Sequence, residues 1–221
     1  MSVKILIVVL VVAGFVSSCK KNGDLVPINL TTNLNVINAD ANSLNVYQNG
    51  SRLNNTSILS PGSESGYMTV LAGIQTYEFK IAGNYNYLFN GYQLKLDNGQ
   101  YYSLFAAGET ADKLFLTNDA APADSATKAT VRFVNASAGT TNLTVSLRDS
   151  LTYTNCAFQY ASAYNYIGSG ISTVKVYQAG TATPLIDSTV TLTAGTLYTI
   201  FTRGTINGTG QNHLSVSLLL N

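Results

Sequence analysis

Residues 65–76, Ser-Gly-Tyr-Met-Thr-Val-Leu-Ala-Gly-Ile-Gln-Thr, return 97 positions later as residues 162–173, Ser-Ala-Tyr-Asn-Tyr-Ile-Gly-Ser-Gly-Ile-Ser-Thr. Three further blocks recur in the same order. Val36-Ile37-Asn38-Ala39 matches Phe133-Val134-Asn135-Ala136. Leu94 to Gly99 matches Val190 to Gly195, and Tyr102-Ser103-Leu104-Phe105 matches Tyr198-Thr199-Ile200-Phe201. A fixed period of this length means one structural unit used twice, so each unit must build its own core. The boundaries predicted are 32–119 for the first unit and 128–221 for the second, joined by a Pro/Ala/Ser stretch at 120–127.

Within each unit the pattern is that of strands. Tyr77-Glu78-Phe79-Lys80-Ile81 and Val174-Lys175-Val176-Tyr177 alternate apolar and polar residues, the period of a half-buried strand. Turn signals separate the runs at Asn49-Gly50, Pro61-Gly62, Asn98-Gly99 and Ala194-Gly195. Strands are expected near 33–38, 43–48, 66–71, 75–81, 87–96, 100–107 and 113–117, and no stretch carries a helical apolar face past the N-terminal segment. Seven short strands with turns every 8–12 residues predict an all-β fold of two tandem antiparallel β-sandwiches.

The N-terminus reads as an address. Lys4 precedes twelve largely apolar residues, Ile5 to Val16, then Val16-Ser17-Ser18-Cys19. Such a run is too short to cross a hydrocarbon core, which takes about 20 residues, and small residues before the break suit a signal peptide over 1–18. The cysteine directly after Val-Ser-Ser resembles a bacterial lipobox, which implies diacylglycerol on the Cys19 thiol and a membrane partner through that lipid. Residues 19–31 then form the lipidated cysteine and a tether. Lys20 and Lys21 do not resemble an inner-membrane retention signal, so the outer membrane is expected, on either its periplasmic or its outer side.

Composition excludes several classes. Of 12 basic residues, Lys4 leaves with the signal, and the remaining 11 balance 11 acidic residues, so no nucleic-acid partner is implied. Cys156 would be the one remaining thiol, expected as a small buried hydrophobe. His213 is the only histidine, too little for a triad, and with Cys156 it cannot fill a zinc site. Asn38-Ala39-Asp40-Ala41-Asn42 has the alternate spacing of a calcium loop. It has Ser43 where the glycine belongs and Asn49 where the glutamate belongs, and reads as a polar turn. Glu109 and Asp112 share one loop and read as solvated. No catalytic residue, metal or cofactor is expected.

Val131-Arg132-Phe133-Val134-Asn135-Ala136-Ser137 resembles the opening of the domain of unknown function (DUF) 4397, whose second strand ends in Val-Tyr-x-x-Gly. The first unit keeps Val36 to Ala39 and Val46-Tyr47-Gln48-Asn49-Gly50, but has Asn35 in place of the arginine. The second has the arginine but reads Val145-Ser146-Leu147-Arg148-Asp149 where the Tyr-x-x-Gly would fall. The resemblance implies an Ig-like or transthyretin-like sandwich in lipoproteins of Bacteroidetes-type bacteria, and carries over no catalytic residue. Three tripeptides at Ser125, Ser150 and Ser188, each preceded by Asp, resemble acceptors of O-glycosylation in those bacteria, with all three expected in turns or the linker.

Tyrosine, at 14 copies, stands out, and the repeat supplies an internal control. Tyr67/Tyr164 and Tyr102/Tyr198 occur in both units and are expected to serve the shared fold. Tyr85 and Tyr87 occur only in the first, with Asn84 and Asn86 beside them, and Phe89 matches Ile186 as core. Aromatic faces ringed by amides suit sugar rings, whose C–H faces stack while hydroxyls bond amides. Tyr160, Tyr164 and Tyr166 form a second such cluster. The reading is a non-catalytic, lipid-anchored envelope module whose partner is a glycan or an envelope protein. The alternatives are a hydrolase with its site at the domain interface, and a spacer presenting no ligand site.

Overall fold

The computed structural model describes residues 30–221 except 123, 124 and 149. The signal segment, Cys19 and the tether up to residue 29 lie outside the described residues, as do Asp124 and Asp149 of two acceptor tripeptides. The first unit contains β1 (Thr31–Asn38), β2 (Leu44–Gln48), β3 (Ser51–Arg52), β4 (Glu64–Leu71), β5 (Gly73–Ile81), β6 (Tyr87–Leu96), β7 (Tyr101–Ala106) and β8 (Leu114–Asn118). The second contains β9 (Lys128–Asn135), β10 (Leu143–Leu147), β11 (Leu151–Cys156), β12 (Asn165–Gly168), β13 (Gly170–Gln178), β14 (Pro184–Leu192), β15 (Leu197–Arg203) and β16 (Ser215–Leu220). Single 3-10 turns precede β8 and β16.

Each unit is a sandwich of two four-stranded sheets. Their orders are β4-β1-β7-β8 and β3-β2-β5-β6 in the first, and β12-β9-β15-β16 and β11-β10-β13-β14 in the second. The sandwiches are not wholly antiparallel as expected: β1 runs parallel to β7, and β9 parallel to β15. A parallel neighbour needs a long crossover, and here the whole second sheet supplies it.

Alternation sets the two cores. Leu34, Val36, Val46, Tyr77, Phe79 and Leu104 fill the first, and Val131, Phe133, Val145, Val174, Val176 and Ile200 the second. Phe79 and Phe89 meet edge to face at 5.7 Å, in accord with Phe89 as core, and Cys156 is fully buried among the second set.

A third cluster lies outside both cores. Ile37, Phe105 and Phe115 of the first unit pack with Val134, Phe201 and Leu219 of the second. These side chains alternate with the core residues on β1, β7, β9 and β15, so the sheets containing those strands are buried on both faces. The two sandwiches therefore lie back to back as one four-layered stack, with Asp119, at the head of the linker, buried between them. Tyr67 and Tyr164, expected as core or corner residues, sit in this seam.

The register gives the stack two distinct ends. β1 and β9 start at one end, which we call the base. Leu30, the linker and Asn221 are all there, since Ala72 N–H bonds Leu30 O and Asn221 N–H bonds Leu197 O. At the other end, the crown, lie the turns 39–43, 82–86 and 107–113 of the first unit with 136–142 and 204–214 of the second. A hollow of about 300 Å³ lined by Asp40, Glu109, Ala138 and Thr205 shows that both sets of turns meet.

Candidate functional site

The crown is organised by one asparagine per unit. Asn38 accepts from Asp40 N–H at 2.9 Å and donates to Leu59 O at 2.8 Å, closing the turn back onto the strand. Asn135 does the same with Ser137 N–H at 3.0 Å and Cys156 O at 3.0 Å, and also accepts from the Thr202 hydroxyl at 2.9 Å. Asp40 accepts from Asn42 N–H at 2.8 Å, so the residues with calcium-loop spacing form a self-satisfied polar turn.

The tyrosines set apart by the repeat lie beside these turns. Tyr85 is 97% exposed and Tyr87 is 43% exposed, so neither ring is a core residue or a cover over the seam. Tyr87 opens β6 opposite Lys80 of β5. The Lys80 ammonium stands 4.6 Å from the Tyr87 ring centre and 4.9 Å from that of Tyr47, bridging two rings on the outer sheet. Its hydrogen bond with Tyr87 holds the Lys80 pKa above its ordinary value. Tyr85, Asn86 and Tyr87, with Ile81, Leu88 and Glu109, line an open hollow of about 500 Å³. A second hollow of about 580 Å³ adjoins it along Leu88 to Gln93 and shares Glu109.

Of the amides named from sequence, Asn86 borders the hollow. Asn84 does not, and its side-chain oxygen accepts from Asn86 N–H at 3.1 Å, which makes it a turn former. Glu109, a solvated loop acid by sequence, borders the two hollows on the first unit and the one between the units. Its position depends on how β7–β8 folds over β5–β6, which local pattern does not encode.

The second tyrosine cluster does not assemble. Tyr160 packs toward Phe133 at 6.4 Å, and Tyr164 lies under Arg132 with 4.8 Å between guanidinium and ring. Tyr166 is 45% exposed on β12, where it pairs with Thr130. Burial pushes the Tyr164 phenol up to about 12 and the Cys156 thiol up to about 11, so both stay protonated at neutral pH.

The seam below holds a buried charge pair. Arg132 Nη2 donates to Asp119 Oδ1 at 2.6 Å, and Nε donates to Thr199 Oγ1 at 2.8 Å. The other Asp119 oxygen accepts from the Tyr67 and Ser103 hydroxyls, both at 2.6 Å. Asn221 Nδ2 donates to Tyr67 Oη at 3.2 Å, which draws the chain's last residue into the same network. Arg132 Nη1 also donates to Asn118 O at 3.2 Å, so each nitrogen and oxygen of the pair has a partner, and the pair joins the units.

Of the acceptor serines, Ser125 accepts from Lys128 N–H at 3.2 Å and is half-buried, and Ser150 is exposed in the β10–β11 turn. Ser188 is exposed but lies within the edge strand β14, not in a turn as expected. His213 is exposed beside the β15–β16 turn, and no cluster of metal-ligating side chains occurs among the described residues.

Fold and crown together define a tandem β-sandwich protein that presents turn-borne aromatic residues at one end. The sequence profile described as "Domain of unknown function (DUF4397)" matches residues 32–146 and 129–218, and the chain belongs to that family. The two matches begin 97 residues apart, which is the period of the internal repeat. No curated protein matches the chain. Among solved structures, a protein from Bacteroides eggerthii DSM 20697, provisionally described as a cell adhesion protein, aligns over 87% of this chain and 95% of its own. It does so at 10% identity and a TM-score of 0.20, too low to carry an argument.

Proposed function

We propose that this protein is a non-catalytic, lipid-anchored module of the bacterial cell envelope that binds a glycan or a partner protein through its crown. The reading rests on one observation above others: Tyr85 and Tyr87 line an open hollow at the end of the stack opposite Leu30, where the chain leads back toward Cys19. A lipid on Cys19 would hold the base to the bilayer and turn the crown away from it. Two exposed rings, the Asn86 amide and the Glu109 carboxylate offer stacking and hydrogen bonding without any nucleophile, which suits recognition of hydroxylated rings.

The test combines location with binding. Protease shaving of intact cells, followed with an antibody to residues 128–221 and a periplasmic control, establishes which side of the outer membrane the protein faces. Envelope polysaccharides and surface glycans are then screened accordingly. Tyr85→Ala combined with Tyr87→Ala is expected to weaken the captured ligand about tenfold or more while leaving the melting temperature in place. A variant that melts early and binds as before would remove these rings from the site.

A further inference from the structure

The hollow between the units holds a buried acid that the fold does not need. Asp40 lines this hollow and is 7% exposed. The turn uses one of its oxygens: Oδ1 accepts from Asn42 N–H at 2.8 Å and from Asn42 Nδ2 at 2.9 Å. Oδ2 accepts from no donor among the described residues, and Asp40 forms no ion pair with them. A carboxylate offers about four lone-pair sites, so half of its capacity is unused. The repeat again serves as control. Ser137 stands 97 residues on from Asp40. Its turn closes through Asn135 Oδ1, which accepts from Ser137 N–H, and through the Thr140 hydroxyl, which donates to Ser137 O at 2.9 Å. The Ser137 hydroxyl itself is buried without a partner, so the same turn folds with no side-chain acceptor at this position. The acid is particular to the first unit.

Small side chains, Ala41 and its equivalent Ala138 among them, leave about 300 Å³ open, at the lower end of the range of ligand sites. Lys113 also borders this space, but its ammonium is engaged 3.2 Å from Asp112 and 5.1 Å from the centre of the Phe158 ring. Glu109 adds a second carboxylate and lines the tyrosine hollow as well. Two carboxylates without a third ligating side chain suit an ammonium better than a metal ion, which takes six or more oxygens when it is calcium. We propose that this hollow receives the ammonium of an amino sugar, with Asp40 Oδ2 accepting its N–H groups and Glu109 linking it to the rings of Tyr85 and Tyr87. An ammonium brings three donors and no acceptor, and its bonds to a carboxylate are charge-assisted. N-acetylation would replace those donors by one neutral N–H and set a carbonyl oxygen against the carboxylate. The inference rests on the reading that the crown binds a glycan.

The probes are glucosamine oligosaccharides and the same oligosaccharides N-acetylated, titrated against the full chain by calorimetry in mildly acidic buffer, where the amines are protonated. The parent is expected to prefer the free-amine form about tenfold or more. Asp40→Asn keeps an Oδ1 acceptor for Asn42 and is expected to abolish the preference without moving the melting temperature. Asp97→Asn, which removes an equal charge from an exposed position at the base, is expected to retain it. Tyr85→Ala with Tyr87→Ala weakens both forms alike and leaves their ratio. A preference that is absent in the parent or survives Asp40→Asn overturns the amine pocket, while loss of binding in the tyrosine variant keeps the glycan reading standing. An equal loss of preference in Asp97→Asn reduces the effect to overall charge and also overturns it. If Asp40→Asn melts early, Glu109→Gln on its exposed loop is read instead, and an undiminished preference there overturns the proposal. Equally tight binding of a lysine-containing peptide in competition with the sugar assigns the hollow to a protein amine and overturns the amino sugar. Binding of neither oligosaccharide overturns the inference, and the tyrosine reading is then decided by the other envelope glycans of the screen.

Discussion

Glu64 shows how a single residue reports on the seam. It is the partner of Asn35, which donates from Nδ2 to Glu64 Oε2 at 2.5 Å. Burial is the largest influence on its carboxyl and raises the pKa above the ordinary 4.5, against the lowering effect of hydrogen bonds from Asn35 and the Leu220 backbone. A carboxyl that holds its proton more tightly when folded favours the native state at low pH and opposes it once pH rises past the folded pKa. Glu64→Gln is therefore expected to be more stable than the parent at pH 7, with the difference vanishing below about pH 4.5. Urea titrations of both proteins across that range check it; a difference independent of pH would exclude the carboxyl as the source. Asn35 is the position at which the sequence departs from the family arginine, and in the fold its neutral amide meets Glu64 instead of bringing a cation to the seam. The buried charge pair there falls to Arg132 and Asp119 alone.

At the scale of elements, the repeated Asn-Ala pair is a latch between a strand and the turn that leaves it. Asn135→Ala would strand a buried Cys156 carbonyl, the Ser137 N–H and the Thr202 hydroxyl, at about 1–3 kcal/mol for each group left unsatisfied. Asn38→Ala removes a similar set, and the Asp40 turn beside it borders the hollow between the units. Both variants are expected to lose stability in chemical denaturation, each by the loss of three hydrogen bonds. Strands and turns are largely legible in the sequence: each of the seven strands expected in the first unit overlaps one of its eight observed strands. The β2–β3 hairpin escapes such a reading because Ser51-Arg52 is too short to show a period.

The whole molecule is where sequence reading falls short, and the reason is specific. Val131-Arg132-Phe133-Val134 does not alternate, because it is covered on both faces, and a run with no period says that a second layer exists without saying which. The linker composition suggests two independent beads, whereas the Asp119 at its head anchors one stack. Removing one partner of that pair strands the other: Arg132→Ala is expected to cost about 3–5 kcal/mol, while Arg132→Met with Asp119→Leu recovers most of the loss. A double-mutant cycle in thermal or urea unfolding measures the coupling, and additive effects would show that the pair contributes nothing jointly.

The same pair has a genetic consequence. A second copy of the first unit placed in the second position would set Asn35 against Asp119, and a second copy of the second unit in the first position would set Arg132 against Asn221. Either exchange leaves a buried charge without its counterpart. The duplicated halves have thus become left and right hands that fit only each other, and recombination that drops, doubles or reorders them is disfavoured by the seam itself.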